Sequence, residues 1–140
     1  MVESIKIAVI DDEEGVRESF KMILKIKDYD VETFETGEAG VEAIQKGTFN
    51  LAFVDFKLPG IDGIEVLRRL KEKDPNLEVV IVTAYASEQS HANAITLGAL
   101  EYLRKPFLME EIYELVERAL RKQRSKGIQK KGGGSIGPIH

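Results

Sequence analysis

The 140 residues predict an α/β domain: a doubly wound, five-stranded parallel sheet with helices on both faces. Three observations carry that expectation. Short apolar runs alternate five times with longer amphipathic stretches, the pattern of strand–helix–strand units. Two of the runs, Leu51–Val54 and Val79–Val82, are apolar throughout, as strands covered on both faces must be. Most runs also end at a strongly polar residue before a turn, and right-handed crossovers between such strands place helices on both sides of the sheet.

Ile5 to Ile10 is the first strand, closed by Asp11 and Asp12. Glu13 to about Ile26 is a helix with Val16, Phe20, Ile23 and Leu24 on one face, and Glu13, Glu14 and Glu18 suit the positive end of its dipole. Val31 to Phe34 alternates polar with apolar residues, which fits a strand at the sheet edge. Thr36 caps a second helix reaching about Lys46, with Ala39, Ala43 and Ile44 expected inward. The third strand, Leu51 to Asp55, is followed by Pro59, Gly60 and Gly63, which turn the chain. Asp62 is placed to cap the third helix, with Glu65 in the capping-box position. Ile64, Leu67 and Leu70 are its expected core face, and Asp74-Pro75 stops it near Lys73.

Glu78 to Thr83 holds the most β-branched run and reads as a central strand. Ser87 to about Leu97 forms a fourth helix closed by Gly98; Ser90, His91, Asn93 and Thr96 are mediocre helix formers and its apolar stripe is thin. Leu100 to Leu103 is the last strand. The final helix runs from Met109 to about Gln123, with Ile112, Leu115, Val116, Ala119 and Leu120 inward.

The length suits one domain, and the absence of cysteine excludes disulfides, zinc–thiolate sites and cysteine nucleophiles. The apolar start is too short for a signal-peptide core or a membrane span, so no membrane association is expected and a cytoplasmic location follows by default. Charge is unevenly spread. Residues 121–140 hold six basic residues and no acid, so with a net charge of −4 the remaining 120 residues carry −10. Residues 1–124 read as the domain, and 125–140 as a flexible basic, glycine-rich tail, a linker or an expression remnant. Six charges without aromatics or a folded motif read as a solvated helix end, and no direct nucleic-acid binding by the domain is expected.

In open parallel sheets, ligands bind at the carboxyl ends of the strands. There the first strand delivers Asp11 and Asp12, the third Asp55 and the fourth Thr83, while the fifth leads into Lys105-Pro106. Three carboxylates within about 5 Å repel by roughly 3 kcal/mol per pair at an effective dielectric near 20, so they call for a cation. Oxygen ligands without histidine or cysteine point to Mg²⁺. A metal, a lysine and a hydroxyl beside a carboxylate form the equipment for phosphoryl transfer, with Asp55 as nucleophile needing no general base. Singly, each residue has a plainer reading: Asp11, Asp12 or Asp55 as turn or capping acids, Thr83 as a sheet residue, Lys105 as a surface lysine. Their coincidence at the strand ends argues against those readings. His91, on a polar helix face, reads as solvated rather than as a ligand or relay histidine.

From about Ile5 to Arg121 the chain closely resembles the receiver domain of bacterial two-component response regulators. The acidic pair Asp11-Asp12, Asp55 with the downstream LPGIDG, Thr83-Ala84, and YLRKPF from Tyr102 to Phe107 carry the resemblance. It implies the flavodoxin-like strand order 2-1-3-4-5 and phosphorylation of Asp55 by a sensor histidine kinase. It also implies Mg²⁺ on Asp12, Asp55 and the backbone carbonyl of Lys57, with Asp11 acting partly through water. Lys105 and Thr83 are expected to hold phosphoryl oxygens, Tyr102 to be the aromatic switch residue with plain core packing as the alternative, and the Lys105-Pro106 bond to be cis. The expected function is a phosphorylation-activated signalling switch whose surface of fourth helix, fifth strand and fifth helix controls an output domain or effector, with homodimerisation through that surface as one form. It would catalyse only its own phosphorylation and dephosphorylation. The stretches LGALEYLRKPF and EEIYELVERAL lean towards receivers of NtrC-type transcription activators.

The alternatives are a phosphorelay intermediate, an aspartyl-phosphate phosphohydrolase, a nucleotide or flavin binder, and an unphosphorylated interaction module. The phosphohydrolase wants a general acid two residues after the nucleophile, where Lys57 stands; the nucleotide binder wants a glycine-rich cradle where DDEEG stands. Lys57 and Tyr85 are expected to flank the approach of water to the phosphoryl group.

Overall fold

The computed structural model describes residues 4–85 and 87–135, with side chains through Lys126. Five strands, β1 (Lys6–Ile10), β2 (Asp30–Phe34), β3 (Leu51–Asp55), β4 (Glu78–Thr83) and β5 (Glu101–Arg104), pair in parallel in the order β2-β1-β3-β4-β5. The helices between and after them are α1 (Glu14–Ile26), α2 (Gly37–Ala43), α3 (Gly63–Lys73), α4 (Glu88–Thr96) and α5 (Met109–Ser135).

Strand alternation divides the core. Ile7, Val9, Leu51, Phe53, Val80 and Val82 face Phe20 and Leu24 of α1 and Ile112, Val116 and Ala119 of α5. Ala8, Ile10, Ala52, Val54, Val79 and Ile81 face Val66, Leu67 and Leu70 of α3 and Ala94 of α4. Every residue of β3 and β4 is buried, as their apolar runs require, while β2 and β5 lie at the edges and are more open.

Expectations for three of the helices, α2, α3 and α5, need correction. The inward face of α2 is not Ala39 and Ala43, which are exposed, but Gly37 and Gly40, followed by buried Ile44 just past the helix end. A Cβ on Gly40 would lie 2.3 Å from Ile10 Cδ1, so any side chain there would force the buried Ile10 side chain to shift. The helix also ends at Ala43, short of Lys46. In α3, Val66 is buried where Ile64 is only half-buried. The capping box is half made: Asp62 Oδ1 accepts from Glu65 N–H at 2.9 Å, but the Glu65 carboxyl turns to Arg68 and Arg69, whose hydrogen bonds hold it down at about 2.

The final helix does not stop at Gln123. Arg121 to Lys126 are adequate helix formers, Lys122, Gln123 and Lys126 find partners at the base of the sheet, and α5 continues to Ser135. The expected tail therefore begins inside a helix, and residues 136–140 of it lie outside the described residues. Among the described residues no helix is long and apolar enough to cross a membrane.

Candidate functional site

The site forms where β1, β3, β4 and β5 run out of the sheet. Asp11 continues the β1–β2 ladder, its N–H donating to Phe34 O at 3.1 Å. Its carboxylate does two jobs, Oδ1 accepting from Glu13 N–H at 2.9 Å at the entrance to α1 and Oδ2 meeting Lys105 Nζ at 3.1 Å. The turn reading of Asp11 is thus realised alongside the functional one, while α1 has no side-chain cap. Arg17, one turn into α1, donates to Asp11 O at 2.7 Å and braces the loop from behind.

Asp55 ends β3, where the start of α3 packs directly on its backbone. A Cβ on Gly63 would lie 2.3 Å from Asp55 O, so glycine is required for this approach. The following backbone is pinned on both sides: Phe56 N–H donates to Val82 O at 2.8 Å and Gly63 N–H to Phe56 O at 3.0 Å. These bonds fix Asp55 on rigid elements, which precise chemistry needs.

Lys105 reaches back across the strand ends. Its Nζ lies 2.8 Å from Asp55 Oδ1, 3.1 Å from Asp11 Oδ2 and 3.5 Å from Glu13 Oε1. The stem is anchored by Lys105 N–H donating to Thr83 O at 2.9 Å, and the Lys105–Pro106 peptide bond is cis, as expected. One carboxylate oxygen from each of Asp11, Asp12 and Asp55 lies within 4.8 Å of the other two. Asp11 and Asp55 are buried and Asp12 is exposed, so the cluster has two inner acids and one at the mouth. The three carboxylates offer hard oxygen ligands at a spacing that could hold a metal ion. A cavity of about 410 Å³ opens onto Asp12 and Asp55, lined also by Glu13, Lys57, Thr83, Tyr85 and Lys105.

The two sides of the Asp55–Lys105 pair experience it differently. Burial pushes the Asp55 carboxyl above its ordinary value of 3.8; the Lys105 hydrogen bond opposes this and the Asp11 charge reinforces it. Burial would lower Lys105, but hydrogen bonds to Asp55 and Asp11 outweigh it and raise the ammonium above its ordinary value of 10.5. The asymmetry follows from numbers: one ammonium has three carboxylates to attract it, whereas each carboxylate shares that ammonium and faces other acids. The pocket therefore has excess negative charge, which a further cation would relieve.

Thr83, at the end of β4, is buried; its Oγ1 accepts from Tyr85 N–H at 2.9 Å, leaving the hydroxyl proton free to donate elsewhere. Tyr102 lies on β5 outside the cluster, half-buried, with a buried hydroxyl that has no hydrogen-bond partner among the described residues. His91 of α4 is not simply solvated. Its ring stacks on Tyr102 with centroids 5.1 Å apart, and Nε2 lies 2.9 Å from Glu101 Oε2. Lys57 Nζ sits 5.0 Å from the Tyr85 ring centroid, so the two expected flanking residues meet each other at the cavity.

Two residues here escaped the sequence reading. In sequence Glu13 reads as a helix-dipole acid, although its place directly after an acidic pair signals that it could join the cluster. Arg17 gives no such signal.

Comparison with known proteins agrees with this geometry. Residues 7–117 match the family model described as the response regulator receiver domain. The chain is 33% identical over 128 residues to the DNA-binding transcriptional regulator NtrC of Escherichia coli, covering 89% of this chain but only 27% of that protein. It is 34% identical over 115 residues to sporulation initiation phosphotransferase F of Bacillus subtilis, covering 82% of this chain and 93% of that one. Among solved structures, a CheY-like response regulator receiver domain protein from Methanospirillum hungatei superposes with a TM-score of 0.84 at 31% identity, covering 89% of this chain and 99% of that one.

Proposed function

The chain belongs to the response regulator receiver domain family, a family of signalling switches rather than conventional enzymes, and from that premise we propose that it is switched by phosphorylation of Asp55. The observation that carries this reading is the single ammonium of Lys105 held between Asp55 and Asp11 beside a carboxylate cluster with room for a cation and a phosphoryl group.

Receiver domains of response regulators interact with histidine kinases and output domains. In the proposed reaction an Asp55 carboxylate oxygen attacks the phosphorus of a kinase phosphohistidine; the new P–O bond forms as the P–N bond breaks, and the imidazole leaves with the electron pair. Asp12, Asp55 and the Lys57 carbonyl would hold Mg²⁺, with Asp11 acting partly through water. When bound, the ion neutralises negative charge on the phosphoryl oxygens. Lys105 gives up part of its hold on Asp55 to bind one phosphoryl oxygen, and the Thr83 hydroxyl donates its free proton to another. Thr83 moving inward leaves space for Tyr102, whose unpartnered hydroxyl and stack on His91 couple that movement to α4 and β5. The α4–β5–α5 surface then changes for an output domain, an effector or a second copy. The thin packing of α4, with Ala94 its one buried residue among those described, suits an element with two arrangements of similar energy.

A relay role, passing the phosphoryl group to another protein, is a second reading, supported by the 34% identity to sporulation initiation phosphotransferase F. The 33% identity to the DNA-binding regulator NtrC supports control of an output domain.

The test is intact mass after treatment with a small phosphodonor and Mg²⁺. Wild type should gain one phosphoryl group and Asp55→Asn none, with the mutant's circular dichroism unchanged. Incorporation in Asp55→Asn equal to wild type would overturn the assignment.

A further inference from the structure

The end of the sheet opposite Asp55 holds an ionisable group that the signalling chemistry does not use. Glu78 is the first residue of β4, 0% exposed, and neither carboxylate oxygen has a hydrogen-bond partner among the described residues. Burying a carboxylate this completely is costly unless opposite charge compensates it. The compensation comes from two lysines one turn apart on α5: Lys122 Nζ lies 3.5 Å from Oε1 and Lys126 Nζ 3.5 Å from Oε2. Lys71 of α3 completes the surroundings. Its ammonium donates to Pro75 O at 2.9 Å and Leu77 O at 2.8 Å, and burial lowers its pKa against the opposing pull of Glu78.

Gln123 lies between the two α5 lysines in sequence, and its amide nitrogen donates to Asn50 O at 2.7 Å and Asn76 O at 2.9 Å. Asn50 Nδ2 returns a bond to Gln123 Oε1 at 3.3 Å. One turn of α5 is thereby tied to the first residue of β4 and to the connections entering β3 and β4. A valine or leucine would fill the Glu78 position as well as any other in this apolar strand, so the charge needs a role other than packing. Direction supplies one. Residues four apart on a helix share a face, so Lys122 and Lys126 can both reach one buried carboxylate in only one rotational setting of α5. An apolar contact would tolerate several.

We infer that Glu78 is a positioning residue for α5, fixing the rotation and register of its 122–126 turn against the sheet and so the direction in which the following chain departs. The same strand carries Thr83 at its other end, which ties that departure to the frame of the switch.

Hydrogen exchange, followed residue by residue in the full 140-residue chain alongside thermal melting, tests this. Replacing a buried ion pair by an apolar residue is often neutral or stabilising, so Glu78→Leu should keep or raise the melting temperature. Its amides at 120–126 should nonetheless exchange about tenfold faster relative to those at 112–118, because the turn has lost its single setting. The half-exposed lysines allow a second approach: Lys122→Ala with Lys126→Ala should show the same local acceleration, now with a lower melting temperature because a bare carboxylate stays buried. Unchanged protection at 120–126 in Glu78→Leu would overturn the inference. So would acceleration spread evenly over all helices, which would make Glu78 a general stabiliser.

Discussion

At the carboxyl end of the sheet one ammonium, Lys105, faces the carboxylates of Asp11, Glu13 and Asp55; at the amino end one carboxylate, Glu78, faces the ammonium groups of Lys122 and Lys126. Both ends hold unequal numbers of opposite charges, but only the first leaves its excess in the interior. Lys122 and Lys126 have long stems and are about half and a third exposed, so their charge stays hydrated, and the more buried ammonium of Lys71 is taken up by the carbonyls of Pro75 and Leu77. Asp11 and Asp55 have one methylene each and sit at rigid strand ends, so they cannot carry their charge out to water. Side-chain length thus decides which imbalance is harmless and which remains available to a metal and a phosphoryl group.

The largest effect separating the two ends should come from deleting the cation that each relies on. Removing one partner of a buried pair strands the other, at a cost of about 3 kcal/mol. Lys105→Ala should therefore lower stability by about that amount in metal-free buffer, and Mg²⁺ should recover much of it. Lys122→Ala should cost less, because Lys126 remains, and Mg²⁺ should restore none of its own loss. An equal Mg²⁺ response in both variants would erase the distinction between the two ends.

A smaller effect of opposite sign is expected from the acid side. Asp12 is exposed, so its repulsion with Asp11 and Asp55 is screened, and Asp12→Ala should stabilise the metal-free protein by only about 1 kcal/mol. The same variant should lose the rise in melting temperature that Mg²⁺ gives wild type. A metal-free melting temperature below that of wild type would contradict an excess of negative charge in this pocket.

The two ends also differ in how far the sequence revealed them. At the carboxyl end every predicted contributor except Tyr102 lines the cluster or its cavity, because a polar residue at the end of an apolar strand has few other places to go. Both covered faces followed from the alternation of strands and helices, whereas the strand order followed from the resemblance to receiver domains. Glu78 gave no comparable signal: an acid at the start of a strand usually reaches solvent, and only the three-dimensional course of α5 over it causes its burial. The inward face of α2 was hidden for a related reason. Hydrophobic periodicity selects Ala39 and Ala43, but close approach to Ile10 selects Gly40, whose lack of a side chain carries no hydrophobicity to read. The Glu13 and His91 contacts likewise depend on which elements meet.

A pH series sharpens the contrast within the acidic end. The folded Asp55 carboxyl titrates above 3.8, so the folded state binds a proton more tightly than the unfolded chain, and stability is lost as pH rises through 3.8 towards the folded value. Asp55→Asn lacks that loss. Its metal-free melting temperature relative to wild type should climb as pH is raised from about 3 to 7. A flat difference would mean that burial does not hold the Asp55 carboxyl up.

The smallest effect concerns how long a phosphoryl group would survive, and it depends on the mouth of the cavity. An acyl phosphate is lost when water attacks phosphorus in line, opposite Asp55, so groups that order or obstruct that approach set the rate. Lys57 and Tyr85 both line the cavity, and their 5.0 Å cation–π contact makes them one unit. Tyr85 is 69% exposed, so the pair covers the opening as a solvated flap and does not plug it. Such a flap slows water only modestly: decay should quicken about threefold in Tyr85→Ala or in Lys57→Asn, equivalent to about 0.65 kcal/mol. Because each side chain holds the other in place, removing both should add little to removing either. Autodephosphorylation measured in excess Mg²⁺ decides the matter. Decay no faster in the single and double variants would show that neither residue shields the phosphoryl group, and multiplicative acceleration in the double variant would show two independent barriers where the geometry places one.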